Sequence, residues 1–246
     1  MKDFNPFTLE NKVILVTGAS SGIGRSIAIA CSKMGALVIA CGRNEQRLDD
    51  TLKMMVSGNH VKVICDLTDA KLLESMVATL PNLNGVVHCA GIGQRVLCRQ
   101  LTSANVDDVM NNNFKAPIML QSELLKQRKI GKASSIIFLA SIASWLPSVG
   151  NAVYSASKGA IISYAQCLSL ELAPRQIRVN CISPGMVWTD FVRHGGITES
   201  QLKEDESKYP LGRYGIPEDI AYLAIYLLSD VSCWMTGTNV KISGGI

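Results

Sequence analysis

The feature that most constrains the fold of this chain is the alternation of short β-branched runs with longer amphipathic segments. The β-branched runs predict strands over residues 13–17, 36–40, 61–65, 85–88, 135–140, 178–182 and 239–242. Apolar residues at helical spacing predict helices over residues 23–34, 71–80, 105–126, 156–173 and 217–228. Parallel strands need long crossover connections, so this order predicts an α/β fold with a doubly wound parallel sheet and helices on both faces.

No stretch rich in Pro, Gly or Ser divides the chain, and we therefore expect a single domain over residues 1–246. The least patterned region is 188–213, which holds the Gly195-Gly196 pair and a charged cluster at 203–206. A long segment of this kind often covers a ligand as a lid, and a solvated surface excursion is the alternative.

Charge and hydropathy exclude several classes of partner. The net charge is only +4, and no block of Lys or Arg is interleaved with aromatic residues, so nucleic acid is not expected as a partner. No window approaches the roughly 18 apolar residues of a membrane span, and the start lacks the apolar stretch of a secretory signal. We expect a cytoplasmic protein without a membrane partner. The eight cysteines are scattered without a C-x-x-C pair, which favours neither a disulfide framework nor a metal site.

A glycine-rich turn follows the first predicted strand and leads straight into a helix. It reads Thr17-Gly18-Ala19-Ser20-Ser21-Gly22-Ile23-Gly24-Arg25. Glycines let the backbone approach a pyrophosphate, while the free N–H groups and the helix dipole supply positive charge. Glycines alone also suit an ordinary tight turn, but the order strand, turn, helix predicts a dinucleotide site.

The ends of the next three strands indicate which dinucleotide is bound. The second strand ends without a carboxylate for the adenosine ribose, and Arg43 is placed there to hold a 2′-phosphate, or else is an exposed charge. NADP(H) is therefore favoured, with NAD(H) possible. After the third strand, Asp66 and Leu67 are expected beside the adenine, although Asp66 also suits a helix N-cap. The fourth strand ends in small residues that let a ligand pass closely: Cys89, Ala90 and Gly91.

A tyrosine and a lysine four residues apart supply candidate chemistry. Tyr154 and Lys158 share one face of a predicted helix, and an ammonium close to a phenol is expected to lower the phenol pKa towards neutrality. Tyr154 is then placed to donate a proton to a carbonyl oxygen as hydride reaches the carbon. Ser141 ends the preceding strand, at the sheet edge where ligands bind, and is expected to hold the substrate oxygen.

Four motifs in this order resemble those of the short-chain dehydrogenase/reductase family over nearly the whole chain: Gly18-x-x-x-Gly22-x-Gly24, Asn113, Ser141, and Tyr154 with Lys158. The resemblance implies a Rossmann-type fold. It also implies that Asn113 positions a water in a proton relay through Lys158, and that Lys158 bonds the nicotinamide ribose.

Two further segments resemble the family. Residues 183–189 are similar to its Pro-Gly segment, which covers the nicotinamide carboxamide and here contains Pro184, Gly185, Val187 and Thr189. Residues 237–245 resemble its closing strand and glycine pair, and the resemblance implies a homotetramer or a homodimer. One departure is Cys89, which stands where the family usually has Asn and affects local packing more than chemistry.

The sequence thus favours an NADP(H)-dependent oxidoreductase acting on a carbonyl or a secondary alcohol, similar in pattern to 3-oxoacyl-carrier-protein reductases. The substrate is expected to be a small molecule or an acyl-carrier-bound group. An NAD-dependent alcohol dehydrogenase, a catalytically silent dinucleotide-binding sensor, and a redox-sensing thiol protein using Cys89 or Cys41 are the alternatives. An apolar substrate pocket is predicted from Trp145, Leu146, Val149, Trp188 and Phe191.

Overall fold

The computed structural model describes residues 4–193 and 198–246, apart from the side chains of Phe191 and Arg193. The strands of this part of the chain are β1 (Val13–Thr17), β2 (Leu37–Gly42), β3 (Val61–Ile64), β4 (Leu83–His88), β5 (Ile130–Leu139), β6 (Arg178–Pro184) and β7 (Asn239–Ile242). They form one parallel sheet in the order β3-β2-β1-β4-β5-β6-β7. The predicted α/β class with a doubly wound parallel sheet is confirmed.

The helices are α1 (Gly22–Lys33), α2 (Glu45–Met54), α3 (Ala70–Thr79), α4 (Ser103–Met110), α5 (Ala116–Lys126), α6 (Ala152–Leu172), α7 (Asp190–Arg193), α8 (Glu199–Glu206) and α9 (Pro217–Leu228). Short 3-10 turns cover Cys98–Gln100, Ile142–Ser144, Ala173–Arg175 and Asp230–Ser232. Helices α1 and α9 pack on one face of the sheet, whereas α3, α5 and α6 pack on the other. No helix within the described ranges is long and apolar enough to cross a membrane.

Two differences from the sequence-based elements have local causes. The predicted helix over 105–126 is interrupted by a π-helical turn, Asn111–Lys115, which separates α4 from α5. Strand β5 begins five residues earlier than the prediction, because a bulge hides its alternation: Ala133 has φ 58° and the pairing of β4 with β5 shifts between Leu83 and Gly85.

The direction of the strand order reverses between β1 and β4, and the chain leaves both strands at the carboxyl edge of the sheet. Gly18, after β1, and Ala90, after β4, face each other there: a Cβ on Gly18 would lie 2.9 Å from the Ala90 Cα. In open α/β sheets, ligands bind at this topological switch point. The sheet therefore places the predicted glycine turn at its ligand-binding edge.

Candidate active site

Ser141 and Tyr154 meet at the end of β5. Ser141 follows the strand and begins a 3-10 turn, in which its Oγ accepts a hydrogen bond from the Ala143 backbone N–H at 3.1 Å. Tyr154 lies in the first turn of α6, and its hydroxyl shares a hydrogen bond with Ser141. The structure therefore brings the predicted acid/base and the predicted oxygen holder into direct contact.

The pKa of Tyr154 moves in the direction opposite to the sequence-based expectation. Burial raises the pKa of this phenol above its ordinary value, while the hydrogen bond with Ser141 opposes that change. The ammonium of Lys158 lies 5.8 Å from the centroid of the Tyr154 ring, and its Nζ donates instead to the Leu139 carbonyl at 2.7 Å. The phenol of Tyr154 therefore keeps its proton at neutral pH.

Lys158 is a buried cation one helical turn after Tyr154. Burial lowers its pKa to about 8, so the ammonium titrates close to neutral pH. A Cβ on Gly91 would lie 3.6 Å from Lys158 Nζ and 3.0 Å from Asn113 Oδ1. The end of β4 therefore passes close to both side chains, and only a residue without a side chain leaves this space open.

Asn113 lies in the π-helical turn and is buried. Its Oδ1 accepts from the Ile92 N–H at 2.7 Å, and its Nδ2 donates to the Ile92 carbonyl at 2.8 Å. The same Nδ2 lies 3.2 Å from the Oγ of Ser157, which in turn donates to the Tyr154 carbonyl at 2.7 Å. π-turns often occur at functional sites, and this one connects Asn113 with α6 and with the chain leaving β4.

The glycine turn forms as the spacing predicts. Gly18 and Gly22 have φ angles of 66° and 50°, which side chains rarely adopt, and Ser21 is the extended N-cap of α1. A Cβ on Gly24 would lie 2.2 Å from the Gly18 carbonyl oxygen. Ser20 and Ile23 belong to the same turn, and Ser20 Oγ would be 3.5 Å from a Cβ on Gly42 at the end of β2. The turn is thus a compact backbone cradle beside the ends of β1 and β2.

Arg43 and Asp66 lie together at the ends of β2 and β3. Their ion pair spans 3.9 Å between Arg43 Nη1 and Asp66 Oδ2, and both side chains are exposed. Asp66 Oδ1 accepts from the backbone N–H and the hydroxyl of Thr68, which lowers the Asp66 pKa. The N-cap of α3 is Asp69 and not Asp66, so the N-cap alternative for Asp66 is wrong. Leu67 lines a cavity of about 480 Å³ between the start of α3 and the π-turn.

The end of β4 is hydrogen-bonded to Thr17 of β1, which was not among the predicted site residues. Thr17 Oγ1 accepts from the backbone N–H groups of Cys89 and Ala90 at 3.0 and 3.2 Å, and it donates to the Val87 carbonyl at 3.3 Å. Burial raises the pKa of Cys89 to about 12, although Lys158 opposes it. Cys41 shows the same rise from burial. Neither thiol ionises near neutral pH, which counts against a redox-sensing thiol.

The Pro-Gly segment passes from the end of β6 to the glycine turn. Pro184 is the last residue of β6, and the Gly185 N–H donates to the Ile242 carbonyl at 2.9 Å. Val187 forms a parallel bridge with Gly215. The Thr189 Cγ2 atom would lie 3.2 Å from a Cβ on Gly22. The structure thus brings Thr189 beside the phosphate-binding turn.

The described part of region 188–213 has a small core of its own, so it is not a merely solvated excursion. Its buried residues are Val192, Leu202, Tyr209 and, just beyond the region, Tyr214. Trp188 packs against this cluster, whereas Trp145, Leu146 and Val149 are exposed at 47, 51 and 80%. Gly195 and Gly196, and the side chain of Phe191, lie outside the described residues.

Two buried polar contacts near the site join residues that are far apart in the sequence. Ser157 precedes Lys158 in an ordinary helical pattern, and its contact with Asn113 depends on the π-turn. His88, at the end of β4, stacks on Phe138 with ring centroids 4.4 Å apart, and its Nε2 lies 3.0 Å from Gln121 Oε1. Over the described residues, no group of three or more His, Cys, Asp or Glu side chains is arranged to hold a metal ion.

Comparisons with known proteins agree with this geometry. A profile of the family described as "Enoyl-(Acyl carrier protein) reductase" matches residues 18–246. The 3-oxoacyl-[acyl-carrier-protein] reductase of Rickettsia prowazekii is 34% identical over 238 residues, which cover 97% of this chain and 98% of that protein.

Solved structures are similar over the same length. A short-chain dehydrogenase/reductase described as a glucose/ribitol dehydrogenase, from Brucella melitensis, has a TM-score of 0.91 at 30% identity and 98% coverage of both chains. A putative NAD(P)-dependent gluconate 5-dehydrogenase from Beutenbergia cavernae, with bound NADP at low occupancy, has a TM-score of 0.88 at 29% identity and the same coverage.

Proposed function

Because this chain belongs to the short-chain dehydrogenase/reductase family, and is an oxidoreductase of that family, we propose that it transfers a hydride between NADP(H) and a carbonyl or secondary alcohol. The observation that carries the proposal is the hydrogen bond between Tyr154 and Ser141, with the buried Lys158 ammonium one turn along the same helix. This set places a proton donor and a hydroxyl at one point of the ligand-binding edge.

The backbone cradle fits a dinucleotide. Gly18 lies so close to Ala90, and Gly24 so close to Gly18, that neither position has room for a side chain, and the N-terminus of α1 follows directly. Gly22, Ser20, Ser21 and Ile23 would hold the pyrophosphate. Asp66, Leu67, Cys89, Ala90 and Gly91 would line the adenosine and ribose sides, and Pro184, Gly185, Val187 and Thr189 the nicotinamide side. When bound, the nicotinamide supplies or accepts the hydride.

Tyr154 acts as the acid in the reductive direction. Its raised pKa keeps the phenol protonated at neutral pH, the form that donates to a carbonyl oxygen. Ser141 holds the same oxygen through its hydroxyl. Lys158, with a pKa lowered to about 8, returns a proton towards Tyr154, and Asn113 positions a water on that route. The intact set of Asn113, Ser141, Tyr154 and Lys158 favours an active enzyme over a catalytically silent sensor.

The exposed Arg43 favours NADP(H). Its guanidinium is exposed at the end of β2, where a ribose 2′-phosphate would reach it, and lies 3.9 Å from the Asp66 carboxylate at the end of β3. The similar gluconate dehydrogenase structure contains NADP, which supports the same choice. A 3-oxoacyl group carried by a carrier protein is the substrate that the Rickettsia relative suggests. We further propose a cytoplasmic homotetramer on the resemblance to the family.

Fluorescence titration with NADPH and NADH in parallel, followed by a carbonyl-substrate screen, tests this function. The Tyr154→Phe variant removes only the acidic hydroxyl, so we expect turnover to fall by at least about a hundredfold while the Kd for NADPH stays within about twofold. Tyr164→Phe, on the same helix but away from Ser141, is the control and should retain activity. Unchanged turnover in Tyr154→Phe would remove this residue from the acid/base role.

The Arg43→Ala variant tests the choice of cofactor. Loss of a charge-assisted contact should raise the Kd for NADPH about tenfold, the low end for such contacts because Arg43 is exposed, and leave the Kd for NADH nearly unchanged. Lys53→Ala removes a positive charge from the far end of α2 and is the matched control. An equal effect of Arg43→Ala on both cofactors would contradict the assignment of Arg43 to the 2′-phosphate.

A further inference from the structure

A cluster of aromatic rings and carboxylates lies at the base of region 188–213. Tyr209 and Tyr214 are buried and meet edge to face with centroids 5.0 Å apart, and the Trp188 ring packs on Tyr214 at 5.1 Å. The Tyr214 hydroxyl donates to Asp205 Oδ2 at 2.7 Å, and the Tyr209 hydroxyl accepts from the Met186 N–H at 3.1 Å. The cluster therefore joins the end of α8 to the segment that leaves β6.

One oxygen of the Glu206 carboxylate contacts both sides of a backbone bridge. Glu206 Oε1 accepts from the indole Nε1–H of Trp188 and from the backbone N–H of Tyr214, each at 2.8 Å. Trp188 and Tyr214 are the neighbours of Val187 and Gly215, which form the parallel bridge. The bridge itself has two hydrogen bonds, from Trp188 N–H to the Gly215 carbonyl and from Gly215 N–H to the Met186 carbonyl. Glu206 thus bonds to the residues next to both members of the bridge.

The bridge sits directly before the residue that reaches the glycine turn. Thr189 follows Trp188, and its methyl group would lie 3.2 Å from a Cβ on Gly22. On the other side, a Cβ on Gly185 would lie 3.0 Å from the Ser243 Cα, so the chain there is held against the end of β7. The position of Thr189 therefore depends on the stretch between Gly185 and Trp188, and Glu206 is the side chain that fixes its far end.

We propose that Glu206 is a positioning residue of the cofactor site: by holding Trp188 and Tyr214 it fixes the Val187–Gly215 bridge, and with it Thr189, against the glycine turn. The inference rests on the proposed dinucleotide binding. It assigns to a carboxylate of helix α8, within region 188–213, a role in binding the nicotinamide half of the cofactor. Because NADPH and NADH share that half, the role differs from the proposed role of Arg43.

The chemistry of Glu206 suits this role. The hydrogen bonds from Tyr214 and Trp188 lower the pKa of the Glu206 carboxyl, so it is ionised at neutral pH and acts only as an acceptor. Charge-assisted hydrogen bonds are stronger than neutral ones, and here two of them converge on one atom. A glutamine at this position keeps a carbonyl oxygen with two lone pairs but lacks the charge.

The test measures the Kd of the full chain for NADPH and for NADH by fluorescence titration, together with the thermal midpoint of each variant. Glu206→Ala should raise both Kd values by a similar factor, about tenfold, which corresponds to about 1.4 kcal/mol. Glu206→Gln should restore both to within about threefold of the unaltered chain. Trp188→Phe removes the indole donor, keeps a smaller aromatic ring beside Tyr214, and should raise both Kd values by a smaller factor, which provides a second measurement if Glu206→Ala folds poorly.

Glu204→Ala is the matched control, because it removes an exposed carboxylate of the same helix that pairs with Lys208 and is not part of the contacts of Glu206 with Trp188 and Tyr214. It should leave both Kd values unchanged. Kd values within about twofold of the unaltered chain in both Glu206→Ala and Trp188→Phe would overturn the role of Glu206, as would an equal rise in Glu204→Ala. If the unaltered chain binds neither dinucleotide, the proposed function itself fails.

Discussion

His88 should make the fold sensitive to mild acid. Its imidazole is 4% exposed, stacks on Phe138, and contacts Gln121 through Nε2, while its Nδ1 has no hydrogen-bond partner among the described residues. Burial lowers the pKa of His88 from 6.5 to about 4, and the bond to Gln121 only partly opposes this. The folded protein therefore keeps the imidazole neutral at a pH where the unfolded chain protonates it.

The sign and size of the effect follow from linkage. Because the unfolded chain binds the extra proton between pH 6.5 and about 4, the free energy of unfolding falls as the pH decreases through this window. Each pKa unit corresponds to about 1.4 kcal/mol, so His88 alone should cost about 2 kcal/mol at pH 5 and about 3 kcal/mol at pH 4, relative to pH 7.5. Such a loss is a large part of the stability of a typical domain.

Urea unfolding at a series of pH values between 7.5 and 4.5 measures this effect, with far-UV circular dichroism as the probe. The control is His88→Asn, which keeps a polar side chain beside Gln121 but cannot titrate in this range. The two proteins are compared by the slope of their free energy of unfolding against pH, so a pH-independent loss of stability in the variant does not affect the result. The acidic groups with lowered pKa, such as Asp66 and Asp219, act in both proteins alike. Parallel slopes for the two proteins would refute the reasoning.

Two further predictions concern the glycine turn and the cysteines. Gly24→Ala should abolish dinucleotide binding or folding, because the added Cβ would lie 2.2 Å from the Gly18 carbonyl oxygen. The control Gly159→Ala, whose Cβ would meet nothing closer than 3.9 Å, should fold and bind NADPH normally. NADPH titration and circular dichroism compare the two variants. Cys89 should react with iodoacetamide at pH 8 far more slowly than the exposed Cys98 and Cys233, because burial raises the pKa of its thiol to about 12. Peptide mass spectrometry measures the three rates, and equally fast modification of Cys89 would contradict this prediction.

The sequence predicts those parts of the molecule that local rules determine. A buried parallel strand needs a continuous apolar run, and a tight turn at a helix N-terminus needs glycine, so the strands and the turn at Gly18 were predictable. The placement of Ser141 followed from the rule that ligands bind at the sheet edge where the strands end, and Tyr154 lies in the helix that follows. The family resemblance also located Asn113. It did not predict the π-helical turn that orients this side chain, because the apolar spacing of a helix is nearly the same with or without one extra residue in a turn.

Long-range contacts explain what the sequence left out. The pKa of Tyr154 depends on how deeply the ring is buried and on where the Lys158 ammonium points, and helical spacing specifies neither. The contact of Glu206 with Trp188 joins residues 18 positions apart across a region without regular patterning. The short apolar stretches there give no period, so the small core around Tyr209 could not be predicted.

The paired bonds between Asn113 and Ile92 divide the chain after β4 into a fixed part and an exchangeable part. Up to Ile92, both backbone groups are held by one buried amide, so the atoms beside Lys158 stay in place whatever follows. Beyond it, residues 93–100 are bonded to the neighbouring loop at few points, among them Val96 N–H to the Gly150 carbonyl. On the proposed function, transplanting this stretch from a relative should therefore change which substrates are accepted without moving Asn113 or Lys158, so it is the segment at which selectivity can be redesigned.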